Sequence, residues 1–143
     1  MGSEIIQSAA SGFTFSVRRT KQKRREQSLQ ETLVRVLALA LTRETTFFAV
    51  PNGGARSRIE AAILNGQGVR AGVPDLIFIS KGRAFGLELK SEKGELSQAQ
   101  RAQHVTLRDA GMRIEVARSL GEALEHLKDM GIPLRLKGVK GRA

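Results

Sequence analysis

Two apolar, strand-like runs on either side of a glycine turn constrain the fold of this chain more than any other feature. The runs are VPDLIFI at 73–79 and AFGLELK at 84–90, and the turn between them contains Gly82. β-Branched and aromatic residues favour extended backbone, and glycine in a short connection favours a tight hairpin. The sequence therefore predicts an antiparallel hairpin in the middle of the chain.

Helices and further strands are predicted on both sides of the hairpin. Apolar residues recur at helical spacing over 26–42, and the run TTFFAV at 45–50 is typical of a short strand. The remaining predicted elements are a strand over 112–117 and helices over 56–64, 97–110 and 119–130. The resulting order predicts an α/β fold with a mixed central sheet flanked by helices. Its core is expected to contain Phe47, Phe48, Phe78 and Phe85.

The balance of charge predicts a polyanionic partner. The 143 residues include 24 Lys and Arg against 14 Asp and Glu, which gives a formal charge of +10 and a pI near 11.1. Such an excess attracts phosphates and makes nucleic acid the first candidate, ahead of an acidic membrane surface. A basic soluble protein without such a partner is the alternative.

Composition divides the chain into three predicted segments. Residues 1–25 lack a sustained apolar period and end in a dense basic run, so a flexible arm is expected there. This arm either contacts phosphates or is simply solvated. Residues 26–131 form the predicted domain, and residues 132–143 form a basic tail.

The sequence has no cysteine and no long apolar run. Without cysteine there can be no disulfide, no thiolate zinc site and no Cys nucleophile. No apolar run approaches the roughly 20 residues of a spanning helix, and no secretory signal is recognisable at the N-terminus. We therefore expect a soluble, cytoplasmic protein without a membrane partner.

Three charged side chains of the hairpin are expected on one face. Side chains alternate along a strand, so Glu88 and Lys90 share one face while the leucines beside them point into the core. A hairpin with Gly82 and Arg83 at its tip, or a loop two residues longer in the same register, places Asp75 opposite Lys90. We expect Asp75, Glu88 and Lys90 to be displayed together.

This charged cluster is suited to a metal ion. Two close carboxylates repel each other unless a cation lies between them, and an all-oxygen ligand set favours Mg²⁺ or Mn²⁺. Such an ion activates water towards a phosphodiester, and Lys90 can orient that water or neutralise developing charge. The alternatives are a solvated charged face and a surface salt bridge between Lys90 and Asp75.

Four short motifs occur in order around this cluster. They are PNGGARSR at 51–58, GVPDLIF at 72–78, GLELK at 86–90 and GELSQAQ at 94–100. The combination resembles the VRR-NUC family, the virus-type replication-repair nucleases of the PD-(D/E)xK superfamily. The resemblance covers roughly residues 26–117 and implies a restriction-endonuclease-like core.

The resemblance implies roles for individual residues. Asp75 and Glu88 would be metal ligands together with the backbone carbonyl of Leu89, and Lys90 would be the catalytic lysine. Gln100 would approach that lysine or a substrate phosphate.

A glutamate on the first helix is also implied. Glu31 is our choice and Glu26 the competitor, because spacing alone does not separate them. His104 and His126 lie on separate predicted helices without a partner at ligand spacing, so neither is expected to bind zinc or act as a base. The residues expected to contact DNA are Asn52, Arg56, Arg58, Arg70 and Ser97.

The resemblance finally implies a substrate and an assembly. Small members of the family are associated with branched DNA such as Holliday junctions and act as homodimers, and a C₂ dimer suits two symmetric cuts. We expect a Mg²⁺- or Mn²⁺-dependent DNA endonuclease without a small-molecule organic cofactor. The alternatives are a nuclease of ordinary duplex DNA or RNA and a non-catalytic basic nucleic-acid-binding protein.

Overall fold

The computed structural model describes residues 2–51 and 56–136, and it describes side chains in the first helix only from residue 20 onward. The described residues form four helices and four strands in the predicted order. The helices are α1 (Gly2–Ala40), α2 (Arg58–Gly66), α3 (Gln98–Asp109) and α4 (Leu120–Asp129). The strands are β1 (Thr45–Ala49), β2 (Leu76–Ser80), β3 (Arg83–Leu89) and β4 (Arg113–Ala117).

The strands form one mixed sheet in the order β1-β2-β3-β4. The pairs β1-β2 and β2-β3 are antiparallel, whereas β3 and β4 are parallel. Parallel neighbours need a crossover connection, and α3 supplies it between β3 and β4. The predicted α/β fold with a mixed, helix-flanked sheet is confirmed.

The turn of the central hairpin lies one residue earlier in the chain than expected. Ser80 pairs with Arg83, so the turn consists of Lys81 and Gly82. Both turn residues have positive φ, 50° and 76°, as a two-residue hairpin turn of the favoured twist requires. The predicted tip at Gly82 and Arg83 was therefore wrong by one residue, which moves the cross-strand partner of each position by two residues. A shift of two leaves each side chain on its predicted face.

The first helix is longer than predicted at one end and shorter at the other. It includes the backbone of residues 2–25, where an arm was expected, and it ends at Ala40 instead of residue 42. Residues 2–17 have scattered apolar residues without a sustained period and residues 18–25 are mostly basic, so hydrophobic periodicity could not detect this part of the helix. No helix among the described residues is both long and apolar enough to cross a bilayer. The division of the chain at residues 25 and 131 stays a prediction, and residues 137–143 of the expected tail lie outside the described part.

The core lies between one face of the sheet and helices α1 and α4. Leu37 of α1 and Leu127 of α4 are fully buried beside Phe78 of the sheet. Phe47 stacks on Phe78 with ring centroids 5.6 Å apart. Phe48 was expected in this core but is 52% exposed. It follows Phe47 directly in β1, so its side chain points to the opposite face.

Candidate active site

Asp75 stands immediately before β2 and is fixed by the neighbouring strand. Its Oδ2 accepts a hydrogen bond of 2.8 Å from the amide of Leu89. The preceding residue, Pro74, is buried and packs over Gly86, where a Cβ atom would lie 2.9 Å from the proline Cγ. Gly86 therefore leaves room for the proline that sets the position of the carboxylate.

Glu88 lies on the same face as Asp75 but is buried rather than displayed. Only 1% of its surface is exposed, because α3 covers this part of β3. Its Oε1 accepts a hydrogen bond of 2.8 Å from Nε2 of Gln100. The same Gln100 side chain completes the capping box of α3, since its Oε1 accepts from the amide of Ser97 at 2.8 Å. One amide side chain thus joins the helix start to the buried carboxylate.

Ionising both carboxyl groups at once is unfavourable at this buried position. Burial, followed by the Asp75 charge, raises the pKa of Glu88 to about 9, although Lys90 opposes the shift. Burial also raises the pKa of Asp75 above its ordinary value, against the lowering effects of the hydrogen bonds with Leu89 and Glu88 and of the Lys90 charge. A divalent cation would offset this repulsion and favour the ionised form of both groups.

The donor set fits a hard divalent cation. Oε2 of Glu88 is buried and has no hydrogen-bond partner among the described residues, so it retains capacity for a ligand. In the described part of the chain, no group of three or more His, Asp or Glu side chains is placed to hold a metal. Two carboxylates nevertheless suffice for Mg²⁺, which keeps several waters and takes further oxygens from substrate phosphates.

Lys90 follows β3 directly and is half-buried beside the carboxyl pair. Its amide donates to the carbonyl of Ala117 at 3.0 Å, which fixes its backbone to β4. Its charge lowers the pKa of both Asp75 and Glu88. None of the ion pairs among the described residues joins Lys90 to Asp75. The salt-bridge interpretation of this pair is therefore not supported.

The two glutamates of α1 differ in what they contact. Oε1 of Glu26 accepts a hydrogen bond of 3.1 Å from the amide of Ser91, just after Lys90. The charge of Glu26 also raises the pKa of Asp75 and that of Glu88. Glu31 instead accepts from Nε2 of Gln27 on its own helix at 3.0 Å and is exposed.

Both glutamates and Asp75 line one open cavity of about 670 Å³ that also contains Lys23 and Arg35. The cavity brings Glu31 near the site, but only Glu26 reaches the strand end that carries the lysine. The geometry therefore favours the competitor over our first choice.

The residues expected to contact DNA are only partly brought together. Arg56, Arg70 and Ser97 line a second cavity of about 480 Å³, together with Gln100. Arg70 also donates to the backbone carbonyl and the side-chain oxygen of Asn65, both at 2.9 Å, so it closes the end of α2 as well. Arg58 is exposed and does not line this cavity. Asn52 lies outside the described residues.

Sequence reasoning missed His104. The side chain is fully buried, and its Nε2 lies 3.4 Å from Oε2 of Glu88. Burial, followed by the charges of Arg108 and Lys90, lowers the pKa of this imidazole. His104 follows Gln100 by four residues on α3, so helical spacing already placed the two side chains on one face. His126 lies elsewhere, with Nε2 at 3.0 Å from the carbonyl of Val116.

Sequence reasoning also missed Arg118, which follows β4. Its Nη1 donates to the carbonyl of Ser91 at 2.8 Å and to the carbonyl of Gly94. One guanidinium group therefore holds the turn after Lys90, whose Ser91 amide in turn holds Glu26. A lone arginine between a strand and a helix gave no sequence signal for this contact.

A family model decides what this arrangement belongs to: the VRR-NUC domain model matches residues 16–120. The chain belongs to the VRR-NUC family. Membership implies a nuclease of the PD-(D/E)xK type, with DNA as its substrate and a restriction-endonuclease-like fold. Nucleases of this type usually use divalent metal. The resemblance inferred from the four motifs is thus confirmed.

Two solved structures are similar to this VRR-NUC chain. One, a VRR_NUC domain protein, shares 19% identity at a TM-score of 0.54, covering 72% of this chain and 84% of the other. The second, a VRR_NUC domain, shares 20% identity at a TM-score of 0.49, covering 73% and 95%. No curated protein matches the chain significantly. At 19% identity the likeness to the first of these structures concerns the fold alone.

Proposed function

We propose that this VRR-NUC nuclease is a metal-dependent DNA endonuclease whose reaction is carried out by Asp75, Glu88 and Lys90. The observation that carries the proposal is the close pair of carboxyl groups, Asp75 and Glu88, beside one lysine. The raised pKa of both carboxyl groups supports a cation site, because two neighbouring ionised carboxylates repel each other unless a cation lies between them. The alternative of a non-catalytic binding protein gives no reason for burying Glu88.

Asp75 and Glu88 would hold Mg²⁺ or Mn²⁺, together with the backbone carbonyl of Leu89. When bound, such an ion supplies Lewis-acid chemistry to phosphodiester hydrolysis. Glu26 would complete the acidic side of the site from α1, since its charge already acts on both carboxyl groups. Gln100 would keep the Glu88 carboxylate in place through its bond of 2.8 Å.

Lys90 would act on the reacting atoms. In hydrolysis a water attacks phosphorus, the bond to the leaving oxygen breaks, and a proton moves from the water to the leaving group. The Lys90 ammonium can orient that water or neutralise the charge that develops on the phosphate oxygens. Its half-buried position supports this role, because a fixed positive charge acts more strongly where water is partly excluded.

We further propose that the substrate is branched DNA and that the protein acts as a homodimer. The two cavities support a nucleic acid crossing the site, since Asp75 lines one and Gln100 lines the other. Basic residues stand in both, Lys23 and Arg35 in the first and Arg56 and Arg70 in the second. Two sites related by a twofold axis would match the symmetry of a four-way junction.

A cleavage panel tests the proposal. Labelled four-way junction, flap, linear duplex and single-stranded DNA are incubated with Mg²⁺, Mn²⁺ or EDTA, using wild type, Lys90→Ala and Lys128→Ala. Lys128 is an exposed lysine of α4 and serves as the matched control. We expect metal-dependent cleavage of the junction, lost in Lys90→Ala and kept in Lys128→Ala. Preferred cleavage of linear duplex would contradict the branched substrate, and binding without any cleavage would contradict the enzyme.

The homodimer is tested separately by sedimentation of the protein alone and with junction DNA. A dimeric mass in either sample is the expected result. A monomeric mass in both, together with junction cleavage, would remove the twofold-symmetric arrangement and leave the nuclease assignment intact.

A further inference from the structure

We propose that His104 is a positioning residue that holds the second carboxylate oxygen of Glu88. This inference rests on the proposed function, since it concerns how the chain prepares Glu88 for a divalent ion. Nε2 of His104 would donate to Oε2 of Glu88, and these two atoms are 3.4 Å apart. Gln100 already donates to the other oxygen, Oε1, at 2.8 Å.

The geometry of α3 makes this pair of contacts a unit. Residues four apart on a helix stand one above the other on the same face, so Gln100 and His104 approach Glu88 from adjacent turns. Gln100 itself is fixed by the capping box with Ser97. The start of α3 therefore sets where both donors meet the carboxylate.

Burial argues for a specific contact over simple packing. His104 is fully buried, and neither ring nitrogen has a hydrogen-bond partner among the described residues. Oε2 of Glu88 is likewise buried and unpartnered there. Buried polar groups are nearly always paired, and these two face each other at slightly more than hydrogen-bond distance. A small shift of either side chain would pair Nε2 of His104 with Oε2 of Glu88.

Two donors on one carboxylate do not prevent ion binding. An ionised carboxylate has about four lone-pair positions, so each oxygen can accept one hydrogen bond and retain another position. Fixing both oxygens stops rotation of the carboxylate and keeps its free positions towards Asp75. Residues that support metal ligands in this way typically affect metal affinity by about 10- to 100-fold.

The test measures Mn²⁺ affinity by calorimetry for wild type, His104→Leu and His104→Gln, with melting temperature as the check on folding. Leucine removes the donor and fills the buried position with an apolar side chain, whereas glutamine keeps an N–H donor. We expect His104→Leu to weaken Mn²⁺ binding by about 10- to 100-fold and His104→Gln to remain within a few-fold of wild type. Junction cleavage should follow the same order.

Several results would overturn the inference. Wild-type Mn²⁺ affinity in folded His104→Leu would show that the imidazole only packs. Equal loss in folded His104→Leu and His104→Gln would show that side-chain shape, not the donor, matters. A wild-type protein that binds no Mn²⁺ and cuts no DNA would instead overturn the proposed function, and this inference with it.

A measurement on the wild type covers the case in which His104→Leu does not fold. Nitrogen-15 NMR of the Mg²⁺-loaded protein identifies which ring nitrogen of His104 carries the proton. The proposal requires the proton on Nε2, towards Glu88. A proton on Nδ1 alone would overturn it.

Discussion

Oε1 of Glu26 accepts a hydrogen bond of 3.1 Å from the backbone amide of Ser91 and so joins the long first helix to the turn after β3. That turn begins directly after Lys90 and is held from its other side by the Arg118 guanidinium. A substitution at Glu26 should therefore affect the position of Lys90 and the charge of the carboxyl pair, although Glu26 belongs to a different element.

Replacing Glu26 by glutamine should lower DNA cleavage by about 10- to 100-fold and weaken Mn²⁺ binding. The amide keeps an oxygen that can accept from Ser91, but it removes a negative charge that acts on Asp75 and Glu88. Cleavage rates and calorimetric Mn²⁺ affinities measure the two effects.

Glu31→Gln is the matched control, because both glutamates line the same cavity and only Glu26 reaches Ser91. This variant should keep cleavage within a few-fold of wild type. The opposite ranking, with Glu31→Gln inactive and Glu26→Gln active, would restore our original choice of helix glutamate.

The fold was predictable where the sequence carries a strong periodic or turn signal. The hairpin, the strand at 45–50 and the helix that follows Ser97 all carried such signals, and all three are present. The register of the hairpin was not predictable, because Lys81 had to adopt a positive φ that its side chain does not favour. The start of α1 was missed because residues 2–17 show no sustained apolar period and residues 18–25 are mostly basic.

Gly72→Ala should destabilise the protein more than an ordinary glycine substitution. Gly72 has φ of +82°, and a Cβ atom there would lie 2.7 Å from the backbone nitrogen of Gln100 and closer still to the carbonyl of Ala99. The backbone of α3 cannot move aside cheaply, so we expect a loss of about 2–4 kcal/mol from strain and overpacking together. Urea unfolding gives the change in free energy of unfolding.

Gly68→Ala separates the two contributions. Gly68 also has positive φ, +95°, but nothing lies within 4 Å of its Cβ position. Its loss should be about 1 kcal/mol, from backbone strain alone. Equal losses in the two variants would mean that the contact between Gly72 and α3 does not matter for stability.

The metal-free protein should lose stability as pH rises. The pKa of Glu88 is raised from 4.5 to about 9 in the folded state, so the folded protein binds more protons than the unfolded chain between these values. The free energy of unfolding then falls with rising pH. The folding equilibrium constant decreases by up to about tenfold per pH unit. Denaturant unfolding in EDTA across this range measures the slope.

Glu88→Gln is the control for that slope, since glutamine does not titrate and can still occupy the buried position. The variant should lack the part of the pH dependence that Glu88 causes. Adding Mg²⁺ to the wild type should raise its melting temperature more at about pH 8 than at about pH 6, because metal binding favours the ionised form. Parallel pH curves for the two proteins would contradict the raised pKa.

The sequence predicted which residues form the site, but it did not predict that Glu88 is buried. Alternation along the strands placed Asp75, Glu88 and Lys90 on one face, and in the structure Lys90 acts on the pKa of both carboxyl groups. Alternation along β3 could not show that α3 covers Glu88, because burial by a helix is a tertiary property. His104 was dismissed for lack of a partner, although its partner, Glu88, lay only sixteen positions earlier on a neighbouring element.

Two variants separate metal binding by the carboxyl pair from the chemistry of the lysine. Mn²⁺ affinity and junction cleavage are measured for wild type, Asp75→Asn and Lys90→Ala. We expect Asp75→Asn to lose both, whereas Lys90→Ala should bind Mn²⁺ at least as well as wild type and lose cleavage by about 100-fold or more. Metal-dependent cleavage at the wild-type rate in Asp75→Asn or in Lys90→Ala would contradict this expectation.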